Sequence, residues 1–323
     1  MNIIEIQLPD RARFAMNDNI IHSDTLFSAM VNCYIKLYGN ENVEKFIETI
    51  RVSSVFMGLD LGEERLYFLP KPAIEPLYLE SSDRDKVKKW KKIKFLSKEI
   101  FEKLLAGELT NDYEKWNDIA LTRKEYDKLK VSSLFGDDFK KINYVNKYVE
   151  AKNTLNRYSG KSENLFFTEV VEFQSLGKIT PFFYFFIEEV SSEIMTSLRL
   201  MADEGLGGKR STGKGILKSV KKAELNLEIN YEKYISLSLT FPKDIKEARS
   251  AENYDFVKRG GFVYYGGGTG WRKKRIRMYD IGSVFSEKVE GQNVESVINI
   301  NGDGEKKIYH YGKPFMIGGR DNG

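Results

Sequence analysis

The chain has 323 residues, of which 41% are hydrophobic and 30% are charged. A chain of this length is expected to form about two domains, and this composition excludes a disordered tail. The formal net charge of +4 at neutral pH is too small to indicate a nucleic-acid ligand by itself, so the distribution of the charge matters more.

The cysteine and histidine content argues against a metal centre. The single cysteine, Cys33, excludes an intramolecular disulfide and a multi-cysteine zinc site, and its apolar surroundings favour a buried thiol. His22 and His310 could ligate zinc only together with carboxylates, and the sequence contains no His-x-x-x-His or Cys-x-x-Cys spacing. The spacing of these residues therefore gives no support for a metal site.

The sequence offers no signal for export or membrane insertion. Residues 1–8 lack a basic segment followed by a long apolar core, so they do not resemble a signal peptide. The longest strongly apolar run, 182–187, is much shorter than the roughly 20 residues that a membrane helix needs. We expect a cytoplasmic protein with no membrane partner.

The first elements along the chain are a strand and a helix. Apolar residues alternate with polar ones over 4–8, which is typical of a half-buried strand. Ser23 and Asp24 are expected to cap a helix over 25–38, and Gly39 is expected to end it.

Two strands, at 52–57 and 66–69, come before a long insertion. The insertion covers about 76–146 and contains a helical, lysine-rich stretch over 83–105. Because charge runs on helices usually lie on a solvated face, we prefer that interpretation of these lysines to a binding site.

Strand patterns return after the insertion. The predicted elements are strands at 165–173 and 181–190, a helix over 193–203 capped by Ser191 and Ser192, and a strand over 216–227. The resulting order, β-α-β-β-α-β with a helical insertion after the second strand, predicts an α+β fold of the ferredoxin-like (RRM-like) type. Such a fold has a four-stranded antiparallel sheet with two helices on one face.

The pattern restarts after residue 230. Apolar residues alternate with serine and threonine over 235–241, which predicts a strand, and glycine-punctuated, β-rich sequence follows. We therefore predict a first domain over 1–230 and a second, smaller domain over 231–323. The second domain is expected to be a divergent ferredoxin-like, β-rich α+β module.

The glycine-rich loop 205–215, Gly-Leu-Gly-Gly-Lys-Arg-Ser-Thr-Gly-Lys-Gly, is the strongest candidate binding site. Glycine lets backbone amides approach an anion without a Cβ in the way. Lys209, Arg210 and Lys214 supply positive charge, Ser211 supplies a hydroxyl donor, and no acidic residue follows until after Ala223. This chemistry suits the phosphodiester backbone of a nucleic acid.

Two other structures fit parts of the same loop. Residues 208–214 match the G-x-x-x-x-G-K of a nucleotide-binding P-loop, but Gly215 stands where that motif needs a Mg²⁺-binding Ser or Thr. A P-loop also runs from strand to helix, which is the reverse of the order predicted here. A helix C-cap followed by a flexible turn explains Gly205 but not the combined density of glycine and positive charge. Anion binding remains the preferred interpretation.

A second basic segment covers 256–279 and contains no acidic residue. Aromatic residues interleave with its cations, which is typical of sites for single-stranded nucleic acid. A basic hairpin with core aromatics explains part of the same pattern, and we expect Lys258 and Arg259 to be contacts. The basic residues are Lys258, Arg259, Arg272, Lys273, Lys274, Arg275 and Arg277, and the aromatic ones are Phe262, Tyr264, Tyr265 and Trp271. Arg157, in a polar segment before a strand, is a weaker candidate that a simple turn would also explain.

The sequence His22-Ser23-Asp24 contains the residue types of a hydrolytic triad. Adjacent residues on one backbone rarely reach the geometry of a triad, so capping of the helix by Ser23 or Asp24 is the preferred interpretation. Catalysis at His22 stays a minority alternative.

Taken together, these segments resemble the RAMP superfamily of CRISPR proteins, whose hallmark is a glycine-rich loop between the second helix and the last strand. More narrowly, the chain resembles the family of fourth subunits of type III-A (Csm) effector complexes. The motifs that carry the narrower resemblance are Ser23-Asp-Thr-Leu-Phe-Ser-Ala29, Phe68-Leu-Pro-Lys-Pro72, Lys258-Arg-Gly-Gly-Phe262 with Gly282-Ser-Val-Phe285, and Tyr311-Gly-Lys-Pro-Phe315.

The resemblance implies a non-catalytic, RNA-binding subunit in antiviral defence that holds the repeat-derived 5′ tag of crRNA. It also implies that the chain has no metal and no cofactor of its own. Its implied protein partners are the large polymerase-like subunit and the backbone RAMP subunit of the Csm complex. The residues that match the RNA-contacting loop are Gly207, Gly208, Lys209, Arg210 and Ser211, and Arg157 and Arg259 match more loosely. Two alternatives stay open: a metal-independent endoribonuclease that processes crRNA precursors with His22, and a purely structural bridge between protein subunits.

Overall fold

The computed structural model of the protein describes residues 1–16, 19–80, 84–155, 158–263, 271–300 and 304–319. Its α-helices, in chain order, are α1 (Ser23–Tyr38), α2 (Val43–Thr49), α3 (Arg84–Lys91), α4 (Lys98–Leu105), α5 (Arg123–Ser133), α6 (Ser192–Glu204) and α7 (Ile245–Arg249). In the part of the chain that is described, no helix is both long and apolar enough to cross a membrane.

The strands divide into two groups along the chain. Those before residue 230 are β1 (Asn2–Gln7), β2 (Ala12–Phe14), β3 (Phe56–Asp60), β4 (Arg65–Pro70), β5 (Phe95–Ser97), β6 (Glu114–Trp116), β7 (Ile119–Leu121), β8 (Val145–Leu155), β9 (Ser162–Phe173), β10 (Thr180–Phe186) and β11 (Ser219–Glu224). Those after it are β12 (Tyr234–Ser236), β13 (Ala251–Asn253), β14 (Phe256–Arg259), β15 (Phe262–Val263), β16 (Trp271–Arg272), β17 (Ile276–Tyr279), β18 (Val284–Phe285), β19 (Val294–Ile300), β20 (Gly304–His310) and β21 (Met316–Gly318).

Four strands and two helices form the predicted ferredoxin-like core. The strands lie in the order β11-β1-β10-β3, and each neighbouring pair is antiparallel. Along the chain these are the fourth, first, third and second strands of a β-α-β-β-α-β unit, in which α1 and α6 are the helices. Both helices pack on the sheet face that carries Ile4 and Ile6, where their apolar residues share one core. The α+β fold class is confirmed.

The insertion after the second strand adds strands as well as helices. The sheet continues from β3 through β4, β5, β7 and β6, so it has eight strands in all. The prediction of a helical stretch over 83–105 is therefore wrong in its middle, where β5 separates α3 from α4. The β5 residues Phe95 and Leu96 are buried and pair with β4, and this tertiary pairing overrides the helical pattern of the flanking lysines.

The start of α1 differs from the predicted cap. The helix begins at Ser23, and the residue before it, His22, makes no side-chain cap bond. The Ser23 hydroxyl instead accepts a hydrogen bond from the Leu239 amide at 3.1 Å, and the Ser23 amide donates to the Ser54 hydroxyl. Ser191, by contrast, caps α6 as predicted, because its hydroxyl accepts from the Ile194 amide at 3.2 Å.

The C-terminal part shares a core with the large sheet. Ile235, Val284 and Ile317 belong to the same buried cluster as Ile3 and Phe56, on the sheet face opposite α1 and α6. The division into domains 1–230 and 231–323 stays a prediction.

The strand predicted over 235–241 is also shorter than expected, since β12 ends at Ser236. Serines in this stretch face the interior, where the Ser238 hydroxyl donates to the Val52 carbonyl and accepts from the Phe315 amide. The alternation of serine and leucine therefore marks a segment buried on both sides and not a half-exposed strand.

Tyr311 joins the C-terminal part to the ferredoxin-like core. Its ring stacks on Phe27 of α1 with 4.7 Å between the ring centroids. Its hydroxyl accepts a hydrogen bond from the Val52 amide at 2.9 Å, and both residues are fully buried. The Tyr311 side chain thus satisfies a backbone group that water cannot reach.

Replacing Tyr311→Phe leaves the stacking in place but removes the acceptor for the Val52 amide. We expect the free energy of unfolding to fall by about 1–3 kcal/mol, measured by urea denaturation. Tyr38→Phe is the matched control, since Tyr38 is 43% exposed, and it is expected to change stability by less than about 0.5 kcal/mol. Equal losses in the two variants would contradict the assigned role of Tyr311.

Candidate nucleic-acid interface

The base of the glycine-rich loop is closed by two glycines in close contact. The Leu206 amide donates to the Gly215 carbonyl at 2.8 Å, and the Gly215 amide donates to the Arg13 carbonyl at 2.7 Å. A Cβ added to Gly205 would lie 2.7 Å from the Gly215 carbonyl oxygen, and one added to Gly215 would overlap the Leu206 carbonyl. Both glycines also have positive φ, at 85° and 74°. Their role is to close the base of the loop.

The tip of the loop, residues 207–213, lies at the surface. Lys209 has a left-handed backbone conformation with φ of 60°, and one 3₁₀ turn, Arg210–Thr212, follows it. Hydrogen bonds from Thr212 and Gly213 close that turn, whereas the amides of Arg210 and Ser211 donate to no acceptor among the described residues. Successive free amides after a left-handed residue form a concavity that suits an anion.

Gly208 differs from the glycines at the base. Its φ is not in the left-handed region, and a Cβ added to it would meet no atom within 4 Å. Neither backbone conformation nor packing therefore requires a glycine at this exposed position. Gly208 forms an isolated β-bridge with Ala15, and the absence of a side chain leaves the surface above it open to a ligand.

Two exposed cations flank these amides. The Lys209 ammonium lies 5.1 Å from the centroid of the Phe166 ring, a cation–π contact with strand β9. The Arg210 guanidinium lies 3.3 Å from the Glu204 carboxylate, which also pairs with Lys36 at 2.6 Å. Hydrogen bonding from Lys36, and then from Arg210, lowers the pKa of Glu204. Arg210 is therefore oriented by a shared carboxylate while its side chain stays 46% exposed.

Lys214, which the sequence predicted as an RNA contact, is buried and does not lie at the surface. It is only 3% exposed, and its ammonium pairs with Glu150 of β8 at 2.7 Å. The hydrogen bond from Lys214 lowers the pKa of Glu150, so the carboxylate stays ionised. The role of Lys214 in the structure is to tie the base of the loop to the β8–β9 hairpin.

Arg259 reaches the loop, but it is paired. Its guanidinium donates to both carboxylate oxygens of Asp24, in the first turn of α1, at 2.7 and 2.8 Å. Burial opposes ionisation of Asp24, yet the hydrogen bond and charge of Arg259 outweigh it and leave the pKa of Asp24 lowered. Arg259, Asp24, Gly207 and Arg210 line one pocket of about 240 Å³. The sequence prediction of Arg259 as an RNA contact stays a prediction, and it did not foresee the carboxylate partner or the position beside the loop.

Lys258 does not line the loop pocket. Lys258 comes immediately before Arg259 along β14. Burial alternates along that strand, so the Lys258 side chain lies on the face opposite to that of Arg259. Arg157 lies outside the described residues.

The β8–β9 hairpin is a part of the site that the sequence prediction missed. Phe166 and Phe167 are 38% and 66% exposed, although both belong to a predicted strand. Phe167 lines an open groove of about 950 Å³ together with Gly208, Lys209 and Ser211. The sequence feature that could have revealed this hairpin is the run of consecutive apolar residues over 165–167, which breaks the alternation of a half-buried strand.

His22 lies beside the loop as well. It lines a pocket of about 330 Å³ together with Ile21, Thr25, Gly207 and Gly208. Within the residues that the structure describes, no group of three or more His, Cys, Asp and Glu side chains is arranged to hold a metal ion.

Comparison with known protein families decides the relationship. The sequence model of the RAMP superfamily matches residues 4–218, which include the whole glycine-rich loop and the ferredoxin-like core up to the residue before β11. The chain belongs to the RAMP superfamily. The model of the CRISPR Csm4 C-terminal domain matches residues 229–318 of this RAMP protein.

Individual relatives agree with this assignment. The CRISPR system Cms protein Csm4 of Methanocaldococcus jannaschii is 29% identical and covers 93% of this chain, which in turn covers 91% of the relative. A chain in the crystal structure of the Csm3–Csm4 subcomplex of the type III-A CRISPR-Cas interference complex is 26% identical, with a TM-score of 0.71 and 98% of each chain covered. The Csm1–Csm4 cassette in complex with AMPPNP is 17% identical with a TM-score of 0.61 over 98% of each chain, which shows a shared fold.

The two kinds of glycine in the loop predict different effects on stability. Gly215→Ala forces a Cβ against the backbone at a positive φ, so we expect the free energy of unfolding to fall by about 2–4 kcal/mol. Gly208→Ala meets no atom and is expected to be neutral or to stabilise by about 0.5 kcal/mol. Urea denaturation of both variants measures the difference. A destabilised Gly208→Ala variant, or an unaffected Gly215→Ala variant, would contradict the described loop.

Proposed function

We propose that this chain is a non-catalytic RNA-binding subunit of a type III-A CRISPR effector complex and that it holds the 5′ tag of crRNA at the glycine-rich loop. The observation that carries the proposal is the exposed loop tip, where the amides of Arg210 and Ser211 have no described acceptor and Gly208 leaves the backbone accessible. Lys209 and Arg210 add positive charge at the same place. Phosphate groups of a single RNA strand suit such a surface.

The surroundings of the loop supply what a single strand needs besides charge. Phe166 and Phe167 of the β8–β9 hairpin present exposed rings next to Lys209, and bases can stack on such rings. Arg259, held by Asp24, lines a pocket together with Gly207 and Arg210. The RNA backbone is thus expected to pass over the loop tip, between the hairpin and Arg259.

The proposal includes two protein partners. The Csm3–Csm4 subcomplex, to which this chain is similar at 26% identity, supports a backbone RAMP subunit as one neighbour. The Csm1–Csm4 cassette, together with the Csm4 name of the Methanocaldococcus relative, supports the large polymerase-like subunit as the other. In this arrangement the chain bridges the two subunits and positions the end of the guide between them.

Binding of single-stranded RNA by the full-length chain in EDTA tests the loop. Lys209→Ala combined with Arg210→Ala is expected to weaken binding at least about tenfold at moderate salt. The slope of log affinity against log salt should fall by about 1.4, since each lost phosphate contact on a single strand contributes about 0.7. Gly208→Ala should also weaken binding without loss of stability.

The control for charge is Lys91→Ala combined with Lys92→Ala, which removes the same charge from exposed lysines of the insertion. Fluorescence anisotropy with a labelled oligonucleotide measures all variants. A loop variant that binds as tightly as the control variant would refute the proposal, and absence of RNA binding by the unaltered chain and its complex would favour a purely structural bridge.

One observation favours a second candidate function. His22 lines a pocket with Gly207 and Gly208, where a bound RNA strand would pass, so it could transfer a proton in metal-independent cleavage. The same EDTA incubation distinguishes the two functions. Repeat RNA that stays intact after the incubation supports a binding function without catalysis. Cleavage that disappears in His22→Ala would instead identify the chain as an endoribonuclease.

A further inference from the structure

Strands β14 and β17 form a two-stranded ribbon whose two sides differ. Phe256 lies opposite Tyr279 and Lys258 lies opposite Arg277, with no shift in register between the pairs. Because side chains alternate along a strand, Arg259 lies on one side, beside the loop, and these four residues lie on the other. The exposed positions along β14 follow this alternation. The outer ribbon face is defined here as Tyr254, Phe256, Lys258, Arg277 and Tyr279.

Three aromatic rings meet on the outer ribbon face. The Tyr254 ring centroid lies 5.1 Å from that of Phe256 and 5.0 Å from that of Tyr279, and Phe256 and Tyr279 are 4.8 Å apart. Tyr279 is anchored, since it is only 8% exposed and its hydroxyl donates to the Ala248 carbonyl. Tyr254 and Phe256 are 44% and 53% exposed. The cluster is therefore a supported aromatic platform with two rings open to solvent.

Two cations face each other next to this platform. Lys258 and Arg277 are both exposed and directly opposite in register. Neither side chain makes an ion pair or a hydrogen bond with another described residue, although like charges directly opposite on neighbouring strands destabilise a sheet. A bound anion between them would remove this repulsion.

We infer that the outer ribbon face is a second contact site for single-stranded RNA. A base stacks on Tyr254 and Phe256, and the adjoining phosphate lies between Lys258 and Arg277. This inference extends the proposed function, because the RNA is the strand whose other part lies on the glycine-rich loop. The loop side and the outer side belong to the same ribbon, so an RNA strand that binds both sides passes around an edge of that ribbon.

Charge on the outer ribbon face favours RNA over a protein segment as its occupant. Glu252, a carboxylate near in sequence, pairs with Lys233, and no ion pair links Asp255 to Lys258 or Arg277 among the described residues. Two uncompensated cations beside two open rings match the alternating phosphates and bases of a single strand. An acidic protein segment is the competing occupant and is an outcome of the test.

The test uses the full-length chain, a labelled 12-nucleotide oligoadenosine, and a copy of that RNA carrying single 2-aminopurine substitutions. Lys258→Gln with Arg277→Gln is expected to weaken binding about tenfold without loss of stability. Phe256→Leu is expected to abolish the quenching of 2-aminopurine at one position along the strand. Lys91→Gln with Lys92→Gln is the matched control and should leave both readouts unchanged.

The outcomes separate this inference from the proposed function. If the loop variant Lys209→Ala with Arg210→Ala weakens binding and the ribbon variants leave affinity and quenching unchanged, the inference is overturned and the loop assignment stands. If neither the loop variant nor the ribbon variants change RNA binding, both the loop assignment and the ribbon inference are overturned. If Lys258→Gln with Arg277→Gln loses association with a partner subunit while its RNA affinity is unchanged, the outer ribbon face binds protein, and the inference is overturned.

Discussion

The close contact between Leu206 and Gly215 is the constraint on which the candidate interface depends. The Leu206 amide donates a hydrogen bond to the Gly215 carbonyl, and the Gly215 amide donates one to the carbonyl of Arg13 in β2. The chain that enters the loop from α6 and the chain that leaves it toward β11 are thereby clamped together. Since both ends of the loop are fixed in this way, the tip projects from a defined position. It presents the amides of Arg210 and Ser211, which have no acceptor within the part of the chain that the structure describes.

Two buried or partly buried ion pairs bring other elements to this loop. Lys214 ties the loop base to Glu150 of the β8–β9 hairpin, and Asp24 holds Arg259 of β14 against the start of α1. Both pairs keep their carboxylates ionised at neutral pH, because the cation lowers the pKa of Glu150 and of Asp24. The glycine-rich loop, the hairpin and the β14–β17 ribbon therefore converge through charge pairs that leave Lys209, Lys258 and Arg277 available at the surface.

Hydrophobic periodicity predicted the ferredoxin-like core well, because the alternation in β1 and the Ser191 cap of α6 are local features. It failed where polar side chains bond inside the protein. Ser23 and Ser238 looked like a helix cap and a solvent-facing strand residue, but their hydroxyls satisfy backbone amides of segments distant along the chain. Short strands such as β5 were also missed, because pairing with β4 stabilises them more than their own pattern does.

The candidate site shows the same division between local and distant information. The glycines and cations of the loop are visible in the sequence, whereas the burial of Lys214 and the pairing of Arg259 depend on Glu150 and Asp24, 64 and 235 residues away.

The most direct test of the central claim is crosslinking of guide RNA within the assembled effector complex, followed by mapping of the attached peptides. Attachment to peptides from the loop 205–215 is the predicted result. Attachment only to other peptides, with the loop unmodified or covered by a protein neighbour, would contradict it.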